Sequence, residues 1–224
     1  MAGDFIAQQL PGLLSTPLNR PQAPLLQTMG NESTPPGLLT PPIGYSQSAD
    51  ETKENKQKIF DYLIAREPDR DIVLALMANM QAESQFIPSR LQGDPKNSDK
   101  IKNWFESTRG GRGTGLIQWD DRRGKLKEFA ENQGKSWADL ETQLDFMLHE
   151  LKTSEKKAYE KIKQAPNLQT KTRLVATQFE RAGTTSAAAA ARGDITDEQR
   201  EEELQRRTNN AVQLKRQFGT KDIP

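Results

Sequence analysis

The chain has 224 residues with 33% hydrophobic and 28% charged content, too polar to pack along its whole length. Its 32 Lys and Arg against 31 Asp and Glu leave a formal net charge of +1, which gives neither a general nucleic-acid footprint nor an acidic tail. Cysteine is absent and His149 is the single histidine, which excludes disulfides, a Cys nucleophile and zinc sites built from Cys and His, and leaves carboxylate chemistry as the best surviving enzyme class.

Residues 1–50 hold eight of the 13 prolines, and their only charges are Asp4, Arg20, Glu32 and Asp50. Proline at this density removes backbone donors and pushes the preceding residues toward extended conformations, so the segment is predicted to be an extended arm. Within it Pro11-Gly-Leu-Leu-Ser-Thr-Pro17 recurs as Pro36-Gly-Leu-Leu-Thr-Pro-Pro42. Two Leu-Leu pairs bracketed by proline suit two copies of a docking peptide, which would order on a partner; a low-complexity linker is the other reading. The start of the chain lacks the basic region and apolar core of a secretion signal, and no window reaches the roughly 18 apolar residues of a membrane span.

Residues 51–224 read as helix after helix, and no alternating strand pattern competes. Ile59, Phe60, Leu63 and Ile64 sit at helical spacing in Glu51 to Glu67. Pro68 and Asp69 open a second helix through Ile72 to Ser84, apolar over most of its circumference and therefore predicted to be the buried central helix. A long Gly-, Pro- and Ser-rich loop over 85–118 follows, and loops of that length in compact domains are usually functional. Further helices are expected near 120–132, 139–152, 155–164, 168–182 and 196–218. The fold class is mainly α, with a helical domain at 51–224 built around a buried central helix behind the 1–50 arm.

Val73, Leu76, Met80 and Glu83 are spaced 3, 4 and 3 apart, so Glu83 continues an apolar stripe at the end of the central helix. Such a carboxylate is either paired or desolvated with a raised pKa, as a general acid requires; the other reading has it bend out to solvent. Gly110 to Gly115 has the glycine interval of a P-loop, but Leu116-Ile117 stand where Lys and Ser or Thr are needed. What remains is a packing corner or a close approach to a bulky ligand. The Gln118-Trp119 pair after it suits sugar binding, or else a core tryptophan beside a structural amide.

Asn79-Met-Gln-Ala-Glu-Ser-Gln-Phe86, then Arg109-Gly-Gly-Arg-Gly-Thr-Gly-Leu-Ile-Gln-Trp119 with Arg122-Arg123, then Gln143-Leu-Asp-Phe146 with Glu150-Leu151, and Phe179-Glu-Arg-Ala-Gly183 together resemble the successive blocks of the phage tail lysozyme family. These are lysozyme-like peptidoglycan glycosidases related to goose-type lysozymes and soluble lytic transglycosylases, and the resemblance spans about residues 55–218.

The resemblance implies a lysozyme-like fold and Glu83 as the catalytic acid, protonating the glycosidic oxygen between N-acetylmuramic acid and N-acetylglucosamine. It implies substrate or active-site contacts at Ser84, Gln118, Trp119 and Glu180, with no metal and no cofactor. A hydrolase would need a second carboxylate, for which Asp94, Glu106, Asp120, Asp121 and Glu180 are candidates; a lytic transglycosylase needs none. The expected partners are the peptidoglycan glycan strand and, through the arm, other tail proteins, with no nucleic acid and no membrane span. The expected location is the phage tail, with action on the host wall during genome delivery. A non-catalytic structural virion protein and a free endolysin are the competing readings.

Overall fold

The computed structural model describes residues 48–93, 104–105, 112–181 and 183–219, so positions 1–47 of the Pro-rich arm, with the repeated motif, lie outside the described residues. The last three positions assigned to the arm belong instead to the first helix, Ser48 capping it and Ala49 and Asp50 beginning it. The domain is mainly helical, as expected. Helix α1 is Ala49–Ile64 and α2 is Arg70–Ser84. α3 is Arg123–Glu131, α4 Leu140–Lys152 and α5 Lys156–Gln164. α6 is Leu168–Leu174 and runs directly into a π-helical segment, Val175–Glu180. A 3₁₀ turn at Gly183–Thr185, a short helix α7 at Ala187–Ala191 and the long α8 at Asp197–Phe218 complete the order.

α2 is the central helix, and every residue from Ile72 to Met80 is buried. It packs against α1, α6, the π-helical segment and α8. Asp69 caps its start by accepting from the Ile72 amide at 3.1 Å. Its end is abrupt because Gln85 and Phe86 both take left-handed φ values of 56° and 65°, which turns the chain away immediately after Ser84. α8 closes the other side, starting from a Thr196–Gln199 capping box. Its far end stacks Phe218 on Phe60, with ring centroids 4.5 Å apart, while Arg70 donates to the Phe218 carbonyl at 2.8 Å.

Two boundaries differ from the periodicity. α1 stops at Ile64, three residues before Glu67, because Pro68 disfavours helical geometry at its predecessor. Glu67 is instead buried, accepting from the Asp69 amide at 3.0 Å and from the Tyr159 hydroxyl. The helix expected over 168–182 is α-helical only to Leu174; the wider π turns carry it to Glu180, and Arg181 ends it in the left-handed region at φ 54°. Spacing of apolar residues does not distinguish an α turn from a single π segment, although π segments often occur at functional sites. The charged α5 buries only Ala158 and Ile162, as a solvated helix does.

Candidate active site

The end of α2, the end of the π segment and the middle of α8 meet on one side chain. Arg207 is 2% exposed and each of its three guanidinium nitrogens is used. Nη2 donates to Glu83 Oε1, and Nη1 donates to Glu180 Oε2 and to Asn79 Oδ1, both at 2.8 Å. Nε donates to Glu203 Oε1 at 3.0 Å. Asn79 and Glu83 lie four residues apart on α2, so one face of that helix presents an amide and a carboxylate to the same fork.

The carboxyls differ in their surroundings. Glu83 is 17% exposed, whereas Glu180 is 1% exposed. Burial pushes the Glu180 carboxyl up to about 8, against the pull of Arg207 and with the nearby charge of Glu83 adding to the push. Glu180 Oε1 is fully buried and has no hydrogen-bond partner among the described residues. Glu83, the residue expected to be either paired or desolvated, is paired; the strongly desolvated carboxyl is its neighbour across the arginine.

Ser84 sits behind this network. Its hydroxyl is buried and donates to the Met80 carbonyl at 3.1 Å and to the Leu116 carbonyl at 2.8 Å, which ties the end of α2 to the Gly115–Trp119 turn. That turn is held from the other side by Gln143. Gln143 Oε1 accepts from the Leu116 amide at 2.8 Å, and Nε2 donates to the carbonyls of Pro88 and Trp137 at 2.6 and 2.8 Å. The glycines of this loop that are described form a packing corner: a Cβ on Gly115 would overlap Gln143 Oε1, and one on Gly113 would overlap the Gln118 side chain. Gly115 also needs its φ of 74°.

Gln118 is partly exposed at φ 51°, and its Nε2 donates to the carbonyl of Gly115 at 2.9 Å. Among the described residues no donor reaches its Oε1. Of the two readings of Trp119, sugar platform or core, the structure has the second. The ring is 1% exposed, and Nε1 donates to Glu150 Oε2 at 2.8 Å. The same oxygen accepts from Arg122 Nη1 at 2.9 Å, and Arg122 Nη2 donates to the Phe179 carbonyl at 3.1 Å, which fixes the π segment against the loop. Burial raises the Glu150 pKa, opposed by Arg122. Ser84, Trp119 and Glu180 are therefore brought in behind Glu83 and the loop, and none of them offers a sugar a surface.

Asp120 accepts from the Arg112 amide and from Arg123, both at 3.1 Å, while Asp121 is 79% exposed. Asp94 and Glu106 lie outside the described residues. Asn79, Arg122, Gln143 and Glu150 stand in the sequence blocks quoted above without roles, and Arg207 and Glu203 lie beyond them. Among the described residues no group of His, Asp and Glu is arranged to hold a metal ion, and no helix is long and apolar enough to cross a membrane.

Comparison with known proteins gives one match. A family model described as phage tail lysozyme covers residues 54–218, from α1 to the last residue of α8. No curated protein and no solved structure matches the chain. The matched region contains the whole Asn79–Glu83–Glu180–Arg207 network and the loop tied to it, and the chain belongs to the phage tail lysozyme family, with the lysozyme-like, peptidoglycan-degrading activity of that family.

Proposed function

We propose that the protein is a tail-associated glycosidase that cleaves the β-1,4 bond between N-acetylmuramic acid and N-acetylglucosamine as the phage opens the host wall for genome delivery, with Glu83 as the general acid. The observation that carries this reading is the position of Glu83 in its network. Arg207 and Glu180 are 2% and 1% exposed, while Glu83 and Glu203 are each 17% exposed; of these two, Glu83 is the one beside Ser84, whose hydroxyl bonds the Leu116 carbonyl of the Gly115–Trp119 turn.

Glu83 gives its proton to the glycosidic oxygen as the bond from C1 to that oxygen breaks, and the bonding pair leaves with the oxygen. Burial and the nearby charge of Glu83 favour a proton on Glu180, across Arg207 from the acid. Positive charge developing on the sugar ring is met by the carboxylate left behind. Gln118 Oε1, which no donor among the described residues reaches, takes a hydrogen bond from a sugar hydroxyl or acetamido N–H. Ser84 and Trp119 support that loop from inside, and Glu180 supports Glu83 through Arg207.

Glu180 faces Arg207, so it does not serve as the nucleophile or as the base that activates water. Completion by the 6-hydroxyl of the muramic residue needs no second carboxylate and gives a 1,6-anhydro end, whereas attack by water gives a reducing end. Mass spectrometry of muropeptides released by the purified protein separates the two, and absence of any released muropeptide would refute the enzyme. The arm at 1–50 carries the domain into the particle by its repeated Pro-bracketed Leu-Leu motif. Deleting it is expected to leave glycan cleavage intact and to remove the protein from purified particles.

A further inference from the structure

We propose that Arg207 is the positioning residue of the cleavage site, holding the carboxyl of Glu83 with one guanidinium nitrogen while Asn79, Glu180 and Glu203 fix the other two. The inference rests on the reading of Glu83 as the acid and adds a residue to it.

Three observations on this network point the same way. Glu83 stands in the last turn of α2, next to the left-handed Gln85 and Phe86, where its own rotamers are not locked by packing on all sides. A planar fork with every nitrogen engaged supplies the missing constraint, because three other side chains hold the guanidinium and so fix the donor Nη2 to which Glu83 bonds. The partners come from three elements, so the geometry at Glu83 depends on α2, the π segment and α8 being seated together.

The charge count argues against a purely stabilising role. Glu83, Glu180 and Glu203 all bond Arg207, and among the described residues only Glu203 is shared with a second cation, Arg206, at 2.7 Å. Arg122 acts on Glu180 from a distance without bonding it. A third carboxyl buried at this cation, which would be surplus charge if ionised and leaves Oε1 unbonded among the described residues when it keeps its proton, is a poor way to hold helices together. The α8 side already has Leu204, Ala211 and Leu214 for apolar packing. An uneven carboxyl cluster around one fixed cation is instead suited to hold a proton and a geometry at once.

The test compares the full-length wild type with Arg207→Lys, Arg207→Met and Glu83→Gln on soluble glycan strands, with the folded fraction of each measured by thermal unfolding. Lysine keeps the charge but loses the fork. Arg207→Lys is expected to lower kcat about 100-fold with KM within about threefold, the scale of loss that a displacement of about 1 Å produces. Arg207→Met is expected to lose as much and to move the alkaline limb of the pH–rate profile upward, since the carboxyl pair gives up its proton less readily without the cation. Wild-type kcat and pH profile in either variant, per folded molecule, would overturn the proposal, and so would loss of the fold in both. An active Glu83→Gln would instead refute the acid itself, whatever Arg207 does.

Discussion

Ser84 Oγ donates to the carbonyl of Leu116 at 2.8 Å, and this bond joins the last residue of the central helix to the turn that presents Gln118. The residue beside Glu83 in sequence thus sets where the Gly115–Trp119 turn stands relative to it. Replacing Ser84 by Ala leaves the buried Leu116 carbonyl without that donor, a loss of about 1–3 kcal/mol. Urea unfolding should show that destabilisation. Glycan cleavage per folded molecule should fall between about 10- and 100-fold through misplacement of the loop. An unchanged rate would mean that the loop is held by Gln143 alone.

Two glycines give opposite outcomes. Gly115→Ala combines a φ of 74° with a Cβ that overlaps Gln143 Oε1, and is expected to cost about 2–4 kcal/mol from backbone strain and overpacking together. Gly124, inside α3, has open space around a Cβ, and Gly124→Ala should stabilise by about 0.5–1 kcal/mol. Denaturant midpoints at constant m-value check both signs.

Glu180 makes stability pH-dependent in a definite direction. Its folded pKa, about 8, lies above the ordinary value of 4.5, so between those limits the folded protein holds a proton that the unfolded chain has released. Stability therefore falls as pH rises through that window, with a slope approaching about 1.4 kcal/mol per pH unit for one proton. Glu150, also raised by burial, adds to the same trend. Glu180→Gln should flatten the slope between pH 5.5 and 7.5, by about one proton's share. A slope identical to wild type would show that Glu180 is ionised throughout.

Much of this arrangement was legible in the residues. The stripe Val73, Leu76, Met80, Glu83 identified a buried helix carrying a carboxylate at its end, and Asp69 and Pro68 marked its start. The partner was equally visible, and the same reasoning finds it. Leu204, Arg207, Ala211, Leu214 and Phe218 are spaced 3, 4, 3 and 4 apart, which puts Arg207 on the apolar stripe of α8 as Glu83 is on that of α2. Two helices with one opposite charge each on the buried face are candidates to pair. Trp119 was undecided because a tryptophan beside an amide reads the same whether its face meets a sugar or a core; only the position of Glu150 under Nε1 separates the two. The π segment that delivers Glu180 leaves no mark in apolar spacing, since one extra residue per turn over Val175–Glu180 is absorbed by neighbouring contacts.

The central claim is that Glu83 supplies the proton for glycosidic cleavage, and it is tested most directly by mass spectrometry of muropeptides released from purified peptidoglycan by wild type and Glu83→Gln at equal folded concentration. Glutamine keeps the shape and an acceptor for Arg207 but has no proton to give. Wild type should release disaccharide muropeptides with either anhydro or reducing ends, and Glu83→Gln should release them several orders of magnitude more slowly, with an unchanged thermal midpoint or a small shift. Release by Glu83→Gln at a rate near wild type would contradict the account.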